Sequence, residues 1–328
     1  MFALCLDDQA YEVVNVLALA GVVPIPLCDL ENADGNLKSV KTNRSRIEYY
    51  FTCTSCFLRH LFDKYSIIDL LTYVDADLFF YSSVRSLFDE MSAASILIMP
   101  HRFPDRLRNK EQFGHYNVGL LAFRRDTEGL RCVDWWRTRC LEWCFDRVEA
   151  DRFADQKYLD RWPELFHQVC VSRQQGADLA PWNVERYTIS KAGGRILVDG
   201  QPLIFYHFQG YKQLSACYVD AGLSSDGVRF ATTVIRYIHV PYVEAVMRAR
   251  HLLKIRFPDL QYGSGCTRDS VAGEYDSLSR AYKFRRFMEG KVILFCFGRA
   301  WYCDSRIVRT VVSMYDRVRG RVVKKSAE

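Results

Sequence analysis

Short apolar runs alternate with longer amphipathic stretches through the N-terminal part of the chain, and no other feature constrains the fold as much. Residues 2–6 (FALCL) read as a buried strand, and residues 10–20 read as a helix after Asp7-Asp8. Residues 22–27 form a second short strand. Over 46–65, Phe57, Leu58, Leu61 and Phe62 recur at helical spacing. Strands are then expected over 67–81, over 95–99 and after the loop that opens 116–124. Strands alternating with helices predict an α/β layer built on a mostly parallel sheet. Helices are expected over 134–148 and 154–162, with Asp155 where an N-cap would stand. Residues 194–208 read as a hairpin turning at Asp199-Gly200. Past residue 215 the texture changes to basic, aromatic helices over 240–256 and 277–288.

Charge follows the same division. Residues 1–214 carry 25 Lys and Arg against 28 Asp and Glu, a balance of −3, whereas 215–328 carry 20 against 11, a balance of +9. A basic second part suits an anionic substrate or an anionic surface, with packing against the first part as the plainer use. No nucleic-acid partner is expected. The expected domains are 1–212 and a basic, mainly helical extension over 213–328. The 12 cysteines are scattered and no secretory leader precedes them, so a disulfide framework is not expected. Cys53 and Cys56 form a lone CxxC with His60 nearby. Without a second ligand pair they read as buried thiols rather than a zinc site. No apolar run approaches the ~20 residues needed to cross a bilayer. A cytoplasmic protein is expected, with peripheral membrane contact through its basic part.

The run IIDLLTYVDADLFFY, residues 67–81, places Asp75 and Asp77 inside apolar sequence. Charges there are unfavourable unless something neutralises them. In an extended strand, residues two apart share a face, roughly 6.5–7 Å apart at Cα. Two carboxylates so placed repel unless a cation sits beside them, and oxygen ligands suit Mg²⁺ or Mn²⁺. An acidic loop after a strand is the alternative. His207, in YHFQG near the end of the hairpin, adds an imidazole that suits Mn²⁺.

The ordered set VDAD, YNVG, DQKYLD and YHFQG resembles the GT-A glycosyltransferases that use nucleotide-sugars, above all the retaining family eight type and its bacterial nucleotide-diphospho-sugar transferase relatives. The likeness covers most of residues 1–212. It implies a GT-A, Rossmann-like fold and transfer of a sugar, with retention, to a glycan, lipid-linked or protein acceptor. It implies metal ligation by Asp75, Asp77 and His207, and donor contacts at Asp75, Asn117, Gly119, Gly210 and Lys212. Asp155 and Gln156 would lie near the reacting sugar carbon. The chain departs from the pattern twice. The basic residue expected six positions after the histidine is Gln213, with Lys212 one short. Residues 2–6 match the second strand of the fold better than the first, so the first β–α unit would be missing, unless FALCL-DD-QAY is a divergent first strand. Two rivals follow. One is a degenerate, non-catalytic GT-A-fold protein that binds a sugar or a partner. The other is a haloacid-dehalogenase-type phosphatase, which wants Thr or Val where Leu78 stands.

Overall fold

The structure is a computed structural model and describes residues 1–215, 217–223, 227–228, 230–260 and 280–303. The chain divides into two compact units, Met1–Ala76 with Ser83–Gln174, and Asp77–Ser82 with 175 onward.

In the first unit, β1 (Phe2–Cys5) and β2 (Val23–Pro26) pair in parallel around α1 (Asp8–Leu17). The Asp7 carboxylate accepts from the Ala10 amide at 2.7 Å and starts that helix. Two short helices, α2 (Leu27–Ala33) and α3 (Gly35–Val40), lead to α4 (Arg46–Lys64). The start of α4 is fixed by a reciprocal cap. The Ser45 hydroxyl accepts from the Glu48 amide while the Glu48 carboxylate accepts from the Ser45 amide.

A four-stranded sheet follows in the order β3 (Leu70–Val74), β6 (Tyr116–Arg124), β5 (Ile96–Pro100), β7 (Val169–Val171). The architecture is α/β, but the expectation of a mostly parallel sheet is corrected. β6 runs antiparallel to both β3 and β5, and only β5–β7 is parallel within this sheet. The chain between β5 and β6 is a 3₁₀ segment, Asp105–Phe113, that reverses direction instead of crossing over as a helix. After α5 (Arg85–Met91), α6 (Thr127–Glu142) packs on α4. This helix was expected over 134–148. It begins earlier because the Asp126 carboxylate caps it through the Gly129 amide at 2.8 Å, and it ends where Trp143 becomes extended. Trp136, Trp162, Phe123, Leu58 and Phe62 form a continuous buried core. Residues 154–162 hold a 3₁₀ turn, Lys157–Arg161, and α7 is the short Trp162–Leu165, so Asp155 caps neither.

The second unit holds β4 (Leu78–Phe80), paired antiparallel with β11 (Phe205–His207). The run 67–81 is therefore two strands in different sheets, broken at Asp75-Ala76-Asp77. The hairpin turn at Asp199-Gly200 forms between β9 (Arg195–Val198) and the two-residue β10 (Gln201–Pro202), and β8 (Ile189–Ala192) extends the sheet. The chain then leaves that sheet so that β11 can pair with β4. Beyond it, β12 (Tyr211–Gln213), β13 (Tyr218–Ala221), β14 (Ile293–Cys296) and β15 (Arg299–Trp301) form an antiparallel sheet. The described part of 213–328 thus contains strands as well as helices.

A continuous helical path runs through α8 (Thr232–Val234), a π-helical turn (Ile235–His239) and α9 (Val240–Arg256). Phe208 stacks on Tyr242 at 3.6 Å, and His239 is fully buried among aromatic rings. Burial pushes its imidazole down to about 3, so it is neutral. The last described helix is Arg280–Met288, and its expected start at Ser277 lies outside the described residues. Among the described residues no helix is long and apolar enough to cross a membrane, and the eleven described cysteines are free thiols.

Candidate metal centre

Asp75 stands just past the end of β3, where its amide donates to the Gly119 carbonyl at 2.9 Å. Tyr73 precedes it by two residues, and the Tyr73 hydroxyl donates to Asp75 Oδ1 at 2.5 Å. Burial and then the charge of Asp75 push the Tyr73 phenol far up, so it remains a donor. Asp155 is buried nearby. Burial first, and the negative charge of Asp75 second, push its carboxyl up to about 8, partly offset by backbone and Thr54 hydrogen bonds. Asp155 therefore holds its proton at neutral pH.

Asn117 and Gly119 do not lie in a loop. Both are inside β6, because 116–124 is one apolar strand buried between β3 and β5. Asn117 Oδ1 accepts from the Gly119 amide at 2.6 Å, and its Nδ2 lies 3.2 Å from His101 Nε2. Gln156 donates through Nε2 to the Phe113 carbonyl at 3.0 Å.

In the second unit, β4 and β11 set the register. His207 lies opposite Leu78, and the Phe208 amide donates to the Asp77 carbonyl at 2.9 Å. His207 Nε2 is 3.1 Å from Asp77 Oδ1. Burial alone would raise the Asp77 carboxyl, but the hydrogen bond and charge from His207 outweigh it, and the carboxyl ends below its ordinary range. Trp182 packs edge-on against the imidazole at 5.3 Å. On the other side of the ring, Nδ1 is 3.8 Å from Asp178 Oδ1, a fully buried carboxylate. That separation exceeds a hydrogen bond between these two atoms.

Asp75 is two residues from Asp77 along the chain, and one ligand atom each from Asp75, Asp77 and His207 lies within 4.8 Å of the other two. Among the described residues this is the one acid, thiol or imidazole group of three or more with such spacing. Cys53 and Cys56, by contrast, are buried on α4 with thiols raised by desolvation, which leaves them inert. The acids meet because the chain turns at Ala76-Asp77, not because an extended strand places them on one face.

Gly210 has φ +84° and turns the chain into β12, where Lys212 pairs with Asp220 of β13 through the backbone. At the position where the resemblance expects a basic side chain, Arg250 of α9 donates to Gln213 Oε1. A guanidinium reaches that point by tertiary structure.

No protein-family model matches the chain. Two proteins of Bacillus subtilis (strain 168) are similar to it. YfnD is 31% identical over 271 residues, 80% of this chain and 84% of YfnD. The chain belongs to the YfnD family. YfnF is 35% identical over 223 residues, 66% of this chain and 73% of YfnF. Both relatives are described as uncharacterized, so family membership brings no activity with it. Among solved structures, the crystal structure of a glycosyltransferase involved in the glycosylation of the major capsid of PBCV-1 is similar at a TM-score of 0.37 and 11% identity, over 64% of this chain and 92% of that one. A likeness so distant carries no argument about function. The resemblance to family eight transferases rests on the motifs themselves.

Three residues that shape the site escaped the sequence reading. Tyr73 had a signal, since it lies two before Asp75 on the same strand. Asp178 and Trp182 had none, because GADLAPW carries no periodicity and no motif.

Proposed function

We propose that this member of the YfnD family is a metal-dependent glycosyltransferase that moves a sugar from a nucleotide-diphosphate donor, with retention, to a glycan, lipid-linked or protein acceptor. One observation carries the reading: the Asp77 carboxylate and His207 imidazole at 3.1 Å, grouped with Asp75, complete the donor set that the ordered motifs imply. Two carboxylates and one imidazole fit Mn²⁺, and Mg²⁺ less well, because imidazole favours the softer ion. When bound, such an ion would offset the charge of a departing diphosphate.

The chain's own residues set the rest. The Tyr73 hydroxyl orients the Asp75 carboxylate. Asp178, 3.8 Å from His207 Nδ1, would favour a proton on that nitrogen and leave Nε2 to ligate a bound ion. Lys212 and Arg250 are proposed to pair with the diphosphate, and Asn117 and Gly119 to shape the donor side. Gln156 has its Nε2 committed to Phe113, which leaves Oε1 to face positive charge developing on the sugar carbon. A cytoplasmic location is part of the proposal, with α9 resting on anionic lipid through exposed Leu252 and Ile255 among basic residues.

A second reading, a non-catalytic sugar-binding protein of the same fold, is favoured by the proton that Asp155 holds at neutral pH. The test is nucleotide release from a panel of UDP-, GDP- and CMP-sugars with Mn²⁺. Release that falls at least 100-fold in Asp77→Ala is the expected result. Binding without turnover selects the second reading, and neither binding nor release rejects both.

A further inference from the structure

The second unit has a cavity of about 380 Å³ whose lining includes Phe80, Tyr81, Lys191, Arg195, Arg236 and Tyr237. Three local features assemble it. The hairpin of β8 and β9 turns at Gly193-Gly194, both with positive φ, and so brings Lys191 and Arg195 to one tip. The π-helical turn Ile235–His239 supplies Arg236 and Tyr237. Pro241, at the start of α9, lacks the N–H that would bond back to Tyr237 and so relaxes the helix there. The neighbouring Ile238 carbonyl accepts from the Tyr81 hydroxyl at 2.6 Å, which ties the turn to the end of β4. Departures of this kind from the α-helix concentrate at functional sites. Last, β4 carries Phe80, 39% exposed, with its ring 5.4 Å from Phe205.

The chemistry of the lining is one-sided. Lys191 Nζ and Arg236 Cζ lie 5.7 and 5.6 Å from the Tyr237 ring centroid. Among the described residues, no acidic side chain lines the cavity. Among the described residues, none of Lys191, Arg195 and Arg236 makes an ion pair. Lys191, Arg195 and Arg236 line one cavity, two of them over the Tyr237 ring; like charges so gathered repel one another, and an anion between them relieves that repulsion. A guanidinium suits phosphate or carboxylate through paired hydrogen bonds. The exposed Phe80 ring and the half-buried Tyr237 ring suit the C–H face of a pyranose ring. Phe80 follows Asp77 by three residues, at most about 10 Å at Cα, within the span of one or two sugar units.

We infer that this cavity binds an acceptor whose sugar bears an anionic group, a phosphate or a carboxylate. The inference rests on the glycosyltransferase reading for the word acceptor, but the binding itself does not. The test is calorimetric titration of the whole protein, without Mn²⁺, with glucose 6-phosphate, glucose and inorganic phosphate. Glucose 6-phosphate should bind at least tenfold more tightly than either of the others. Arg236→Gln and Tyr237→Ala should each weaken it at least tenfold, while Tyr237→Phe, which keeps the ring, should not. Equal affinity for inorganic phosphate, or full affinity in Arg236→Gln, whose side chain is exposed, overturns the inference. Donor binding is read separately with nucleotide-sugar and Mn²⁺. If the donor fails and glucose 6-phosphate binds as expected, the cavity stands and the transferase reading falls. If the donor binds and the sugar phosphate does not, only the cavity falls.

Discussion

Replacing Asp155 with Asn should stabilise the protein, and only above a defined pH. Burial and Asp75 raise the Asp155 carboxyl from the ordinary 3.8 to about 8. The folded protein therefore keeps a proton that the unfolded chain gives up near pH 4. The stability associated with that proton is complete below pH 4 and is lost as pH rises toward and through 8. At 1.36 kcal/mol per pH unit, the loss at pH 7 has a ceiling of about 4 kcal/mol. Relaxation and water entry around a buried charge reduce such penalties, so about 2–4 kcal/mol is expected. The amide of Asn has nearly the same shape and carries no titrating proton.

Urea denaturation of parent and Asp155→Asn at pH 4, 6, 7 and 8 measures this directly. The two should coincide near pH 4 and diverge steadily, with the variant more stable by about 2–4 kcal/mol at pH 7. At saturating Mn²⁺ the gap should shrink, because a cation beside Asp75 cancels the second cause of the shift. A gap that is flat from pH 4 to 8, or a variant less stable throughout, refutes the reasoning.

Asp178→Asn should lower Mn²⁺ affinity about 10–100-fold while the fold is retained, read by calorimetry and circular dichroism, since the buried carboxylate orients His207 without touching the ion. Gly129→Ala should destabilise by more than about 2 kcal/mol in the same urea assay, because its Cβ would stand 2.2 Å from the Arg124 carbonyl oxygen. Sedimentation with vesicles containing anionic lipid should capture the protein at low salt and release it at high salt, with Leu252→Ser/Ile255→Ser weakening capture; salt-independent capture or none removes the membrane proposal.

Much of the fold could be read in the residues where local chemistry decides. The spacing of Phe57, Leu58, Leu61 and Phe62 placed α4 within a residue of its observed end. Asp199-Gly200 made the expected turn. Strand direction was not legible, since an apolar run such as LLAF looks the same in a parallel or an antiparallel sheet. The start of α6 was missed although Asp126 offers a local cap through the Gly129 amide. At the site, Asp75, Asp77 and His207 were expected together and the structure groups them, though not by the geometry expected. An extended strand was taken to align the acids, whereas a turn brings them together. Asn117 was expected in a loop, yet its amide is satisfied inside β6 by Gly119 and His101. Asp178 and the π-helical turn depend on contacts between distant segments and leave no local trace.

The three-residue pairing of β4 with β11 sets a length rule on the chain. His207 faces Leu78 and the Phe208 amide holds the Asp77 carbonyl, so sliding one strand by a single residue would swap the imidazole for a phenylalanine or a tyrosine ring. A single-residue deletion between Gly200 and Phe205 would thus extinguish metal capture while every named ligand remained in the sequence. Relatives that preserve this centre should accordingly keep the spacing of that short connector fixed, even where its amino acids drift.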